Sequence, residues 1–291
     1  MKIGKRQTQQ PKSKMKKSKA NIPFEYVTVK TTKSRIDKGL LAIPVSLIDL
    51  FPKNSTKIFL INEVGDEETK KFTPYNSSSR ECRIGGLKSF YQKHKIKDGD
   101  ELVVQLLDEA KFKIIPEKLF EKQVLDLETK FEKSSDEIET EKLLSKLSEI
   151  TNKTSEEVIK NEFVRLSNQK VEQRKIKTFA KSKLKENVPV SIRKILLGLY
   201  NGKCQVSGFT FLMNNKTPYF EIHHINSSIG NHFKNLLVVS PNVHAQFTYA
   251  NLEQSLDNVG WLRRVKFNDN EYKVRQIIDT LPKVFEKEIH F

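Results

Sequence analysis

The chain has 291 residues, enough for two domains of ordinary size. Its 52 Lys and Arg stand against 36 Asp and Glu, a formal net charge of +16, and that sign points to a polyanionic partner. Two cysteines, Cys82 and Cys204, lie far apart, and no apolar run approaches the ~18 residues of a membrane span, so a disulfide scaffold, secretion and membrane insertion give way to an intracellular, reducing, cytoplasmic setting.

Residues 1–22 hold Lys2, Lys5, Arg6, Lys12, Lys14, Lys16, Lys17 and Lys19 with no acid and few apolar side chains. Such a segment cannot bury enough surface to order itself, and it reads as a disordered basic arm that touches phosphates or simply aids solubility. Residues 23–116 then show seven short runs rich in Val, Ile and Phe: EYVTVK, GLLAIP, TKIFLI, KKFTPY, RECRIGG, DELVVQLL and KFKIIP. Pro52, Gly65, Asp98 and Gly99 break them, so these are strands, with a short amphipathic helix at LKSFYQKHK and another over Val45–Phe51 after Pro44.

Within this domain stand a glycine pair, Gly85-Gly86, the aromatic anchors Phe90 and Tyr91, and the turn Ile96-Lys97-Asp98-Gly99-Asp100 before a late strand, with AIPVSLIDLF upstream. The arrangement resembles the B-three pseudobarrel of plant transcription factors and of some restriction endonucleases. The resemblance implies a DNA-recognition domain whose two arms enter the major groove. Carried onto this chain the arms are Thr31–Lys38 and Thr73–Arg83, rich in the side chains that contact phosphates and base edges. Lys33, Arg35, Lys38, Asn76, Arg80 and Arg83 are the DNA-binding candidates, the arginines for guanine and Asn76 for adenine. A small barrel used for dimerisation or packing is the competing reading of the same pattern.

Residues 117–185 form the expected helical connector. From Glu117 to residue 176 there is no Gly or Pro, and apolar residues recur at helical spacing, as in Leu119, Phe120, Val124, Leu127 and Phe131. Thr154 with Glu157 forms a capping box. By count, acids exceed bases twelve to eight over Glu117–Lys160, while Asn161–Lys194 has ten bases and three acids, so only the last stretch suits a polyanion.

Within residues 186–291, the stretch from 223 to 244 holds four of the six histidines, His223, His224, His232 and His244. Adjacent side chains on a strand face opposite ways, so His223 and His224 cannot share one ligand. One is placed to bind a divalent cation jointly with His244, and the other to act as a general base. Asn235 precedes the apolar run Leu236–Val239, where its amide can hold the returning loop, and Ser240 with Pro241 starts a helix.

Residues 190–255, from RKILLGLYNGKCQVSG through EIHHINSSIGNHFKNLLVVSPNVHAQF, resemble the HNH endonucleases, whose fold is a β-hairpin and helix around one metal. The resemblance implies His223 and His244 as metal ligands, His224 as general base and Asn235 as the orienting asparagine, with Asn235 and Asn242 as alternative ligands. It implies one divalent ion per active site, Mg²⁺ ahead of Mn²⁺, Ni²⁺ or Zn²⁺. Many relatives carry two CxxC pairs on a structural zinc. Here those positions read Cys204, Ser207, Ser240 and Val243, so no structural zinc is expected. Residues 261–291 suggest two strands about Asn268-Asp269-Asn270 and a terminal helix, with His290 too remote to be a ligand.

The expected fold is thus an α+β multidomain chain: N-terminal β pseudobarrel, helical connector and C-terminal ββα-metal (HNH) nuclease module. The function this implies is a sequence-specific double-stranded DNA endonuclease like a Type II restriction enzyme, working as a homodimer on DNA. A homing or phage nicking endonuclease, or a DNA-binding regulator with an inactive HNH fold, are the alternatives.

Overall fold

The computed structural model describes residues 26–54, 57–62, 65–76, 81–173, 176–179, 182–185 and 187–281. The arm over residues 1–22, Arg80 and the terminal helix with His290 lie outside them. The described residues form two compact units, one up to Asp126 with Ile150–Asn152, the other Leu127–Glu149 with Lys153 onward. The segment expected as a separate connector is therefore divided between the two. No helix among the described residues is long and apolar enough to cross a membrane.

In the first unit each of the seven β-rich runs becomes a strand: β1 (Thr28–Lys30), β2 (Leu41–Ile43), β3 (Lys57–Ile61), β4 (Glu67–Asn76), β5 (Glu81–Ile84), β6 (Glu101–Asp108) and β7 (Lys111–Pro116). They form one sheet in the order β1-β6-β7-β3-β4-β5-β2, with β3 and β7 parallel and the other pairs antiparallel. The two end strands contribute to a single core, Val29 from β1 and Leu41 and Ile43 from β2, together with Ile58, Phe72, Ile84, Leu102 and Phe112. A sheet whose opposite ends share one core must curl around it, and this nearly closed form is the pseudobarrel the strand pattern predicted. Phe51 stacks between Phe72 and Phe112, at ring-centroid distances of 5.6 and 4.3 Å. It follows a 3-10 turn, Val45–Leu50, that stands where a helix was expected.

The stretch read as the first arm, Thr31–Lys38, contains a short helix, α1 (Lys33–Lys38). The Asp98 carboxylate accepts from the Lys33 N–H at 2.8 Å, and Gly39, at φ 64°, ends the helix by donating to Ile36 O. A Cβ at Gly39 would lie 3.0 Å from the Lys88 backbone nitrogen, so glycine is required there both for φ and for space. Lys88 opens α2 (Lys88–Lys93), the amphipathic piece, whose Tyr91 is buried and donates to Leu40 O at 2.9 Å.

Three helices follow as the periodicity predicts, α3 (Glu117–Lys133), α4 (Glu137–Thr151) and α5 (Ser155–Ser167). Thr154 and Glu157 complete their capping box, with Thr154 N–H donating to Glu157 at 2.8 Å and Glu157 N–H donating to Thr154 Oγ1 at 3.2 Å. Between α3 and α5, Arg165 serves three acids: it donates to Glu162 at 2.7 Å and Glu132 at 3.2 Å and lies 3.8 Å from Glu128. Burial first, and then the neighbouring Glu162 charge, push the Glu128 carboxyl up to about 8, so a proton replaces a second buried charge there at neutral pH.

Helix does not continue to residue 185. Ile176–Phe179 and Ser182–Lys185 pair as an antiparallel hairpin, β8 and β9. The reason is legible in the run IKTFAKSKLK, where Lys177, Lys181, Lys183 and Lys185 alternate with Ile176, Thr178, Ser182 and Leu184, a period of two rather than 3.6. The rest of the second unit comprises α6 (Val190–Tyr200), the small hairpin β10 (Phe211–Leu212) with β11 (Pro218–Tyr219), the hairpin β12 (Glu221–His224) with β13 (Leu236–Val239), α7 (Pro241–Tyr249), and a sheet of β14 (Leu252–Leu256), β15 (Leu262–Phe267) and β16 (Asn270–Lys273). The β15–β16 turn is the one predicted at Asn268–Asn270; β14 was not anticipated. Leu237 and Val239 of β13, Val243 and Phe247 of α7, and Val265 and Phe267 of β15 share one core with Cys204.

Candidate functional site

β12 and β13 pair antiparallel, with His223 opposite Leu237 and His224 opposite Leu236. Ser240 caps α7 by accepting from Val243 N–H, and Pro241 fills the first helical turn. These two features turn the helix back over the hairpin. Alternation along β12 then sorts its side chains as expected. His223 faces the helix, stacked on Phe247 at 4.1 Å and 5.2 Å from the His244 ring, while His224 faces away, its Nε2 3.0 Å from Asn231 Oδ1. The sequence-predicted pair for the cation is thus brought together, and the predicted base is kept apart from it.

Glu221, two residues before His223 and on the same face, was missed. Its carboxylate accepts from His244 Nδ1 at 2.5 Å and from the Tyr219 hydroxyl at 3.0 Å. The His244 hydrogen bond holds Glu221 below the usual carboxylate range, and an ionised carboxylate can only accept, so the His244 proton sits on Nδ1. Nε2 is then the His244 nitrogen turned away from the carboxylate. Burial, and after it the neighbouring His244 and His224, lower His223 to about 4, which leaves a neutral imidazole at pH 7. A signal for Glu221 existed in the i, i+2 spacing E-x-H on a strand. Arg193 of α6 lies over the Phe220 ring at 4.1 Å and donates to Phe220 O at 3.2 Å.

Asn235, directly before β13, is buried. Its Oδ1 accepts from Asn226 N–H at 2.8 Å, and its Nδ2 donates to the carbonyls of Asn226, Ile229 and Gly230 at 3.0 to 3.1 Å. One amide therefore closes the whole β12–β13 loop. Within that loop Asn231 contacts His224, and its Nδ2 is tied in turn to Asn187 O at 3.1 Å. With Nε2–H donating to Asn231, the His224 lone pair is on Nδ1. Asn242 lies exposed in the first turn of α7.

The positions of the missing thiols do converge. Cys204 Sγ accepts from Ser207 N–H at 3.4 Å, and Cys204 and Val243 lie in the same core. Gly202, at φ 66°, brings its Cα so near Pro218 that a Cβ would stand 2.3 Å from the proline ring. Gln205, also missed, is the clamp: its backbone N–H donates to Val238 O at 2.8 Å, its Oε1 accepts from Val238 N–H at 2.7 Å, and its Nε2 donates to Arg275 O at 2.8 Å. Both cysteines are free and buried. Among the described residues no three His, Cys, Asp or Glu side chains converge as a metal cluster. A cation at the hairpin and helix would therefore have two protein nitrogens, from His223 and His244, and a donor set of imidazole completed by water or phosphate fits Mn²⁺, Ni²⁺, Zn²⁺ or Mg²⁺.

In the first unit the DNA-binding candidates divide. Arg80 lies outside the described residues, as does the side chain of Asn76. Lys33 and Lys38 are exposed on α1. Arg35 and Arg83 come together on Glu81, which accepts from Arg35 at 2.8 Å and Arg83 at 2.7 Å. Those hydrogen bonds and the two guanidinium charges outweigh the opposing effect of burial and hold Glu81 below the usual carboxylate range. Glu81→Gln frees two guanidinium groups at once. We expect about three- to tenfold tighter binding to random duplex with a steeper salt dependence, read by fluorescence anisotropy across a salt series. Identical affinity and slope would show that these arginines do not face nucleic acid.

No family model matches the sequence, and neither does any curated protein. Among solved structures, the chain is similar to a hypothetical Arabidopsis thaliana protein at 19% identity and a TM-score of 0.25, over 30% of this chain and 84% of that one. It is also similar to the protein of the Arabidopsis FUS3–DNA complex, at 20% identity and a TM-score of 0.26, over 31% of this chain and 92% of that one.

Proposed function

We propose that this protein is a divalent-metal-dependent DNA endonuclease of the HNH kind, with a sequence-reading N-terminal unit and two copies acting together on a duplex. The observation that carries the reading is the division at β12: His223 and His244 face one another 5.2 Å apart, and His224 stands on the opposite side, held by Asn231. A net charge of +16 and the joined Arg35 and Arg83 support DNA as the substrate.

His223 Nδ1 or Nε2 and His244 Nε2 would hold the cation, which when bound supplies charge stabilisation to the phosphate and to the departing 3′ oxygen. His224 Nδ1 takes a proton from water, whose oxygen forms the new bond to phosphorus as the bond to the 3′ oxygen breaks. Glu221 keeps the His244 ring turned so that Nε2 points away from the carboxylate.

Digestion of a supercoiled plasmid with Mg²⁺ or Mn²⁺, followed by end sequencing, tests this. Linear product with fixed ends, abolished by EDTA, is expected. Nicked product alone would favour a nicking enzyme. Binding without cleavage under every metal would favour the regulator.

A further inference from the structure

The three-stranded sheet at the end of the second unit has the order β14-β15-β16, so among the described residues β14 is an edge. Its main-chain groups can be sorted by parity. Asn251 O accepts from Asn268 N–H, and Asp257 N–H donates to Trp261 O, so the odd-numbered residues turn to β15. By alternation Leu252, Gln254 and Leu256 turn their N–H and C=O groups outward.

The same three residues carry the sheet's apolar face past its own core. Leu252 lies opposite Phe267 and Gln254 opposite Val265, so all share the face on which Val265 and Phe267 are buried. Yet Leu252 is 37% exposed and Leu256 52% exposed. The usual protections of an edge are weak here: there is no proline, and the one charge, Glu253, is on the other face and paired with Lys266 at 2.7 Å.

The pattern also selects the partner. LEQSL has the same order of side-chain classes in both directions about Gln254. Antiparallel pairing with a second copy places Leu252 against Leu256 of the partner subunit, Gln254 against Gln254 of the partner subunit, and Glu253 against Ser255 of the partner subunit. Each copy thus supplies what the other requires, which is the condition for an isologous two-fold contact. We infer that the β14 edge is the homodimer contact of this protein, two copies joining their sheets antiparallel about Gln254. The inference rests on the homodimeric part of the reading above, and its test measures association without cleavage.

Five residues an edge bury well under the ~800 Å² per partner of a standard interface, so association is weak in free solution and tightens where two half-sites on DNA hold the copies close. A hydrogen-bonded antiparallel pair sets the two Cα atoms about 5.5 Å apart, within disulfide range. The full-length chain carrying Gln254→Cys is therefore expected to form a cross-linked dimer under mild oxidation, about tenfold faster than a chain carrying Glu271→Cys on the far edge. In parallel, sedimentation at tens of micromolar should show a monomer–dimer equilibrium for the unaltered protein, and only monomer for Gln254→Pro. Proline is compatible with an outward-facing edge position, so the monomer's fold and melting point should persist. A strictly monomeric unaltered protein, a dimer that Gln254→Pro leaves intact, or cross-linking at residue 254 no faster than at residue 271 would each overturn the inference. The cross-linking result stands even if the proline variant fails to fold.

Discussion

His224→Ala is expected to lower single-turnover cleavage by about 10² to 10⁴-fold while leaving the affinity for cognate duplex within about twofold. The imidazole faces away from His223 and His244, so its loss removes a proton acceptor without disturbing the pair that would hold the cation. Metal binding provides the control. Titration of Mn²⁺ alone by calorimetry should give the same affinity in His224→Ala as in the unaltered chain, whereas His244→Ala should lose it. Retained cleavage in His224→Ala would remove the general-base assignment. Lost metal binding in the same variant would instead place His224 among the ligands.

Asn235 carries the second large effect, through stability as well as rate. Asn235→Ala leaves one N–H and three carbonyls of the β12–β13 loop without their shared partner, at a cost of about 2–4 kcal/mol. Asn231 follows directly on Gly230, one of the residues Asn235 holds, so the orientation of His224 loosens with the loop, and we expect a further fall in rate of about ten- to a hundredfold. Asn235→Asp separates the two roles of the amide. It keeps the acceptor for Asn226 N–H but sets a carboxylate against three carbonyl oxygens, so it should destabilise more than alanine does. Urea unfolding and single-turnover cleavage of both variants measure this. An aspartate variant as stable as the parent would mean that Nδ2 is not the group holding the loop.

Much of this was legible in the residues. Seven β-rich runs gave seven strands, because alternation and turn chemistry are local properties. The three helices, the Thr154 capping box and the Ser240-Pro241 helix start are likewise written in short stretches of chain. The histidine arrangement was also readable, since strand alternation alone forces His223 and His224 to opposite faces. The helix inside the first arm was not: Lys33–Lys38 has no strong helical periodicity, and its helix is secured by Asp98 and Gly39, the first of which lies more than sixty residues away in sequence.

What the sequence by itself determined, then, is the set of elements and which side chains of β12 oppose one another, because both follow from backbone geometry repeated every two or 3.6 residues. The tertiary structure decided the partnerships. Glu221 on His244, Asn231 on His224, Glu81 between Arg35 and Arg83, and Gln205 clamping β13 are all pairings that exist only once the fold brings the partners within hydrogen-bond distance. The same holds for β14. Its symmetric pattern is present in the sequence, but only the sheet order shows that it lies on an edge.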